Sequence, residues 1–428
     1  MTAEHLVERA TQHAQAAEAS ISCVESMPIS FESGRLKSVK INQSTSVSLR
    51  VIVEGKLGES HATDPEEVDG LVRRAVEAAH FGKPVSFRFS EPAQVQDVKT
   101  YDDAVVPTTQ AEMVDIGQEM VDGLKSYDPD IVSYANVSKA IGRSDFANSS
   151  GLAFSGEGTH FSASLYGNRI RGTDMLWAGD GFGWRKRAVD HRAILDKTIQ
   201  RFLWAEKVAK MASGSFPILF TPTGMGVLLL ALQEGFNGKN VFLGSSPLAG
   251  KIGERAFGEG FSLTDDGTVD FASSSGRYDG EGVPHRRLPM VEHGIVRNFL
   301  YDLDTAAKSG TKSTGHGVGC RSTNLLVGEG TTPFAEMIRS IDEGLIVEAV
   351  MGLGQGNVIS GVFSVNVSLG YKIEKGEIVG RVKDVMLAGN SYEALNHIAG
   401  IGDRAEWVSG SLNTPPIMIE GLSVVAQQ

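Results

Sequence analysis

Only two cysteines, Cys23 and Cys320, stand in the 428 residues. Two thiols cannot build a disulfide framework and are too few for a cysteine-only metal site, so a reducing compartment is expected. Long apolar runs are also missing. The greasiest stretch, Val227 to Leu232, has six residues, against about 18 for a membrane span. The first turns, Thr2 to Ala19, carry Glu4, Glu8, Arg9 and Glu18 among small apolar residues, which is not the core of a secretory signal. These absences predict a cytoplasmic protein with no membrane association. Basic residues are outnumbered 40 to 52, leaving a net charge of -12, so nucleic acid is not an expected partner. Catalytic signatures are missing too: there is no H-E-x-x-H pair, no G-x-S-x-G elbow, and Gly310 to Gly315 lacks the lysine of a P-loop. Gly352, Gly354 and Gly356 begin like a dinucleotide fingerprint that is never completed.

Glycine is what the chain has in quantity, and it is unevenly placed. Residues 1–150 hold 8, residues 151–213 hold 8, and residues 214–428 hold 34 of the 50. A segment so rich in glycine, with many short apolar runs, predicts tight turns and bulges in a large sheet structure. The first 213 residues instead read as two units with one order of elements, helix, strands, helix. The first unit, residues 1–82, has a helix from Ala3 to Ala19, strands over Ser20 to Ser60, and a helix opened by Asp64-Pro65-Glu66-Glu67 and running to Phe81. A linker, residues 83–108, has no sustained period. The second unit, residues 109–213, opens with a Thr109/Glu112 capping box, continues in strands over Asp130 to Ala178, and closes with a helix from Asp190 to Met211. Spellings echo as well: Ser33-Gly34 precedes Ser46-Val47-Ser48-Leu49 as Ser150-Gly151 precedes Ser162-Ala163-Ser164-Leu165, at an offset of 116 to 117 residues. The expected fold class is therefore α+β, with duplicated N-terminal units and a mainly β domain over residues 214–428.

Three clusters invite a chemical reading. Asp279 and Glu281, two apart in Asp279-Gly280-Glu281-Gly282-Val283-Pro284-His285-Arg286-Arg287, could hold a metal or share a proton, or could be a charged turn paired with Arg286 and Arg287. His316, with Cys320 four residues on, reads either as a Cys/His pair or as a hydrogen-bonded histidine beside a buried thiol. Ten basic residues between Arg169 and Lys210 are diluted by five acids. A solvated helix face or a subunit contact explains them better than a nucleic-acid groove, because no aromatic residues are interleaved at a regular spacing.

The C-terminal half carries a longer pattern. Asp279-x-Glu281-Gly282-Val283-Pro284, Val291-Glu292-x-Gly294, Leu300-Tyr301-Asp302, Ser313-Thr314-Gly315-His316, Ser360-Gly361-x-Phe363-Ser364, Gly370-Tyr371-x-Ile373-Glu374, Ala388-Gly389-Asn390 and Ile419-Glu420-Gly421-Leu422 together resemble the TldD/PmbA family, and the resemblance extends over essentially the whole chain. In that family the TldD branch resembles a zinc peptidase with H-E-x-x-x-H on a helix and a later cysteine, and the TldE/PmbA branch is its partner without those ligands. Setting Gly235-Phe236-Asn237-Gly238 against the sequence after the second histidine places Leu229, Leu230 and Glu234 where H, E and H would stand, and no cysteine follows Cys320. The resemblance thus implies a noncatalytic TldE/PmbA-like subunit with no cofactor of its own, zinc being expected only in a TldD-type partner. It further implies proteolysis of extended or unfolded peptides, a homodimer when the chain is alone, and Asp279, Glu281, His316 and Asn390 as candidates to line the peptide chamber. A freestanding homodimeric peptide-binding scaffold is the competing reading, and a relocated metal site at Asp279, Glu281, His316 and Cys320 a third.

Overall fold

The computed structural model describes residues 2–426. The first unit contains α1 (Ala3–Thr11), β1 (Ala16–Glu32), β2 (Arg35–Val39), β3 (Asn42–Val53), β4 (Lys56–Ala62) and α2 (Val68–His80). The Thr2 hydroxyl caps α1 by accepting from the His5 N–H. α1 ends eight residues before the expected Ala19. The reason is tertiary: Ala17 and Ala19 are fully buried in β1, Ala19 paired on both sides and Ala17 paired with Val51 and accepting from the Ser149 N–H, and hydrogen-bonded neighbours outweigh alanine's helix preference. α2 starts at Val68 without a side-chain cap, because Asp64 spends its carboxylate on the Glu66 N–H two residues on, closing a turn instead.

The second unit contains α3 (Gln110–Tyr127), β5 (Ile131–Asn148), β6 (Ala153–Arg171), β7 (Asp174–Trp184) and α4 (His191–Trp204). Its capping box forms as read, with the Glu112 N–H on the Thr109 hydroxyl and the Thr109 N–H on the Glu112 carboxylate. The two units are not separate bodies. Their strands make one sheet in the order β4-β3-β1-β5-β6-β7, with β2 on β1. The join is β1 against β5, from Glu18↔Asn148 to Glu32↔Tyr134, centred on Glu25↔Ile141. That central pair is 116 residues apart, and moving β1 forward by 116 lands on 132–148, nearly the span of β5. The offset seen in two short spellings is thus the offset of the duplicated strands.

One sheet face is covered by helices. α1 and α2 pack on Ala17, Val47, Leu49 and Val51, and α3 and α4 pack with Ile29, Phe31, Phe161 and Leu165. The alternate residues form the opposite face: Ser22, Ser26, Ser46, Ser144, Gly156, Gly158 and Ser162 make its middle small and polar, while Glu18, Arg50, Phe146 and Phe154 stand toward one end.

The remainder contains β8 (Gly214–Phe220), α5 (Gly226–Phe236), α6 (Gly238–Phe242), β9 (Leu263–Asp266), β10 (Arg287–Glu292), β11 (Ile295–Val296), α7 (Leu303–Lys308), β12 (Leu325–Val327), α8 (Phe334–Arg339), β13 (Glu343–Met351), β14 (Val362–Glu374), β15 (Glu377–Arg381), β16 (Val385–Asn390), α9 (Ser391–Ala394), β17 (Ile398–Ile401), β18 (Glu406–Val408), β19 (Leu412–Thr414) and β20 (Ile417–Ala426). Strands β13-β8-β20-β16-β14 close on themselves through β13–β14, giving a barrel-like sheet, and a second sheet runs β11-β10-β9-β12-β19-β18. The hairpins read at Glu292-His293-Gly294 and Glu374-Lys375-Gly376 are present, with His293, Gly294, Lys375 and Gly376 all at positive φ. Alternation along β8 divides the core. Ile218 and Phe220 join the cluster around α5, while Leu219 joins Tyr371 and Ile373 against Phe202 of α4. The barrel and the N-terminal sheet therefore share one continuous core.

Candidate functional site

β8 leaves the barrel through a turn in which the Thr221 hydroxyl accepts from the Gly224 N–H, and this aims α5 into the core. Leu229 is 1% exposed there, among Leu232 and Phe236. Leu230 lies on another side of the helix, lining a cavity of about 30 Å³ closed by Gly352 to Gln355. Glu234 is exposed, its carboxylate accepting from the Asn240 amide at 3.0 Å. The three positions neither converge nor offer donors. Zinc needs nitrogen, thiolate or carboxylate around an open position, and two alkyl side chains supply none. The conclusion does not depend on register, because no histidine occurs between His191 and His285 and none of the ten is followed by glutamate. Among the described residues, no three His, Cys, Asp or Glu side chains are grouped as a metal would require.

The acidic loop is built for a different purpose. Asp279 accepts from the Glu281 and Val283 N–H groups with one oxygen and from the Gly317 N–H with the other, at 2.7–2.9 Å. Glu281 accepts from Arg50 Nη1 at 3.0 Å and from the Leu303 N–H at 2.8 Å. His316 meets Asp265 through Nε2 at 2.9 Å and the Thr314 hydroxyl through Nδ1 at 2.8 Å. At Gly315, φ 80°, a Cβ would stand 2.4 Å from the Pro284 carbonyl, so only glycine lets the His316 loop lie this close to the acidic one. Asp279, Glu281 and His316 are 8%, 2% and 5% exposed. Of the two roles open to these chamber candidates, free side chains in a chamber or structural hydrogen-bond partners, their burial supports the second. They are occupied by the chain itself, because a loop with so many turn N–H groups needs buried acceptors. The turn alternative is corrected: Arg286 donates to the Thr314 and Ser313 carbonyls and Arg287 reaches Asp266, so neither pairs with Asp279 or Glu281.

Cys320 and His316 make no Cys/His pair. The thiol sits with the Asp302 N–H and the Thr305 hydroxyl, and burial pushes it up to about 11, an unreactive state at neutral pH. Asn390 accepts from the Tyr392 and Glu393 N–H groups, capping α9, and donates to the Ser360 carbonyl.

The residues that sequence reasoning missed are Arg50 and Glu18. Arg50 joins Glu18 of β1 and Glu281, tying the N-terminal sheet to the acidic loop through one guanidinium between two carboxylates. Glu18 Oε2 has no partner among the described residues, and burial, against the pull of Arg50, lifts the Glu18 carboxyl to about 7. A signal existed: Glu18 in Ala16-Ala17-Glu18-Ala19 and Arg50 in Leu49-Arg50-Val51 are charges set inside apolar strand pattern. Half of the ten cations between Arg169 and Lys210 pair with acids: Arg169 and Arg171 with Glu206, Arg192 with Glu119, Arg201 with Asp180 and Glu348, Lys197 with Glu406.

A cavity of about 1240 Å³ opens on the serine and glycine face of the sheet, between β1, β5 and β6 below and residues 97–101 and 273–278 beside.

Comparison with known families settles what this architecture is. The PmbA/TldA metallopeptidase C-terminal domain matches residues 213–426, half of the chain, and PmbA/TldA metallopeptidase domain 1 matches residues 17–79. The chain belongs to the PmbA/TldD family. An uncharacterized protein of Methanocaldococcus jannaschii is 28% identical over 396 residues, 88% of each chain. A metalloprotease PmbA homolog of Haemophilus influenzae is 23% identical over 443 aligned positions, 98% of this chain and 94% of that one. The crystal structure of TldE from Thermococcus kodakarensis shares the fold over 99% of both chains, with a TM-score of 0.91 at 22% identity. This PmbA/TldD-family chain has no helix long and apolar enough to cross a membrane among its described residues.

Proposed function

We propose that this chain is the noncatalytic, TldE/PmbA-type subunit of a two-subunit zinc peptidase of the cytoplasm, pairing with a TldD-type subunit that alone carries the metal. The observation that carries the reading is α5. The helix that would hold an H-E-x-x-x-H pair has no histidine, buries Leu229 in the core and lines a nearly filled cavity with Leu230. No general base or metal ligand can act from there. The fold shared with TldE is consistent with this assignment. In it, this chain closes the chamber and holds an unfolded peptide extended, while neither nucleic acid nor membrane is a partner. Alone, it forms a homodimer through the surface that the TldD-type subunit would use.

The test is reconstitution. The chain is purified alone and together with a family member bearing H-E-x-x-x-H, and mass in solution and peptide turnover are measured for each. A stable mixed complex that hydrolyses peptide, with no turnover by this chain alone, supports the proposal. A chain that stays a homodimer and never exchanges into a mixed complex supports the freestanding scaffold instead.

A further inference from the structure

The cleft on the open sheet face contains two guanidiniums, Arg185 and Arg277, with no carboxylate partner among the described residues. Arg185 follows β7 and is fixed from several sides. Its N–H donates to the Phe271 carbonyl at 3.0 Å, its carbonyl accepts from the Thr159 hydroxyl at 2.6 Å, and Nε and Nη2 both donate to the Ser273 carbonyl at 3.2 and 3.0 Å. Nη1 takes no hydrogen bond among the described residues. It lies over Gly158, where a Cβ would come within 2.8 Å of it. No carboxylate of the described residues stands within 4.0 Å of Arg185 or of Arg277, whose Nη2 donates to the Ser155 carbonyl at 2.9 Å.

The other charges of the cleft are mostly committed. Arg143 pairs with Glu157 at 3.0 Å, Lys99 reaches Asp270 at 3.9 Å, and Asp145 accepts from the Ala3 N–H at 2.8 Å; Asp97 stands exposed at the rim. Burial without an acid partner lowers the Arg185 guanidinium, and its charge adds to burial in lowering His160. A largely desolvated guanidinium with an accessible N–H and no counter-ion is costly in a chain of net charge -12 unless something outside it supplies the anion. One wall of the same cleft is aromatic: Tyr278 stacks on Phe154 at 4.2 Å and Phe154 on Phe146 at 4.8 Å. The floor of Ser22, Ser144, Gly156 and Gly158 permits a main chain to lie close.

We propose that this cleft binds an extended peptide through a carboxylate, with Arg185 as the principal contact, Arg277 as the second, and the Phe154–Tyr278 pair, backed by Phe146, receiving an apolar side chain. The choice of a peptide as occupant rests on the proposed function; the carboxylate chemistry rests on the cleft alone. A guanidinium with Nη1 free makes a charge-assisted hydrogen bond to a carboxylate oxygen, stronger than a neutral one, so acidic segments are selected over neutral ones.

The experiment uses the full chain and fluorescence anisotropy with an unstructured, end-capped peptide in which glutamates alternate with aromatic and aliphatic residues, beside the same peptide with glutamine at those positions. The glutamate peptide is expected to bind about tenfold or more tightly. That advantage should vanish in Arg185→Gln and partly survive in Arg185→Lys, with melting temperature measured for both. Equal affinity of the two peptides for the unmutated chain overturns the proposal without any variant, so a misfolded Arg185→Gln cannot shelter it. An advantage intact in a folded Arg185→Gln also overturns it. Inorganic phosphate and acetate are run as competitors, and an advantage that neither weakens contradicts an anion site. Failure of this inference and of the proposed function are separable. Acid preference without any mixed complex leaves the cleft assignment standing and removes the partner, whereas a turning-over complex with no acid preference does the reverse.

Discussion

Arg50 and Arg185 stand on the same face of the same sheet, and the chain treats them in opposite ways. Arg50 is 8% exposed and is met by Glu18 and Glu281. Among the described residues the Arg185 side chain is met only by the Ser273 carbonyl, with no partner on Nη1. The first arrangement is closed: its charges are consumed in holding the acidic loop to the sheet. The second leaves a donor that folding does not use. The comparison teaches that density of polar residues in a sequence marks a place where backbone needs partners, whereas a binding site is marked by charge left over once folding is complete.

The largest effect expected from this contrast is in Arg50→Ala. It strands two carboxylates in the interior and should cost about 3–5 kcal/mol, read from the denaturant midpoint. Arg185→Gln should cost about 1 kcal/mol by the same measurement, since only the Ser273 carbonyl loses donors. Similar losses in the two variants would break the contrast. His316→Ala removes the partner of Asp265 and Thr314 and should cost about 1–3 kcal/mol; a change within about 0.5 kcal/mol, the range of an exposed position, would return His316 to the surface.

A pH experiment sharpens the closed side. The folded-state carboxyl of Glu18, at about 7, lies above its ordinary value of 4.5, so the folded chain holds that proton more tightly than the unfolded one. Its contribution to stability is complete below about 4.5 and is lost as pH rises toward about 7. Glu18→Gln should therefore flatten the fall in stability across that window, compared with the unmutated chain by melts at several pH values. An unchanged slope would show that Glu18 stays ionised beside Arg50. The smallest effect belongs to the cleft rim, where Arg143→Ala breaks an exposed pair with Glu157 and should change the denaturant midpoint by no more than about 0.5 kcal/mol of stability.

What could be read in advance follows the range of the interaction concerned. The Thr109–Glu112 box, the His293–Gly294 and Lys375–Gly376 turns and the 116-residue repeat are local or periodic, and each was legible. The end of α1 is not legible, because the strands that claim Ala17 and Ala19 lie far along the chain, at Val51 and Ala147. The partners of the acidic loop are not legible for the same reason, since Arg50, which meets Glu281, is 231 residues away. Arg185 is hidden in a basic run: Lys186 lies over the Phe271 ring and Arg187 over Phe161, and nothing in the spelling of Arg185-Lys186-Arg187 separates the one that faces the cleft.

The central claim is that chemistry belongs to a partner and peptide handling to this chain. Zinc content measured by mass spectrometry on the dialysed, separated subunits of a reconstituted complex, with peptide turnover followed alongside, tests it most directly. The account predicts about one equivalent of zinc with the H-E-x-x-x-H subunit and only traces with this chain, which hydrolyses no peptide by itself. About one equivalent held tightly by this chain, with turnover that a chelator abolishes, would contradict it.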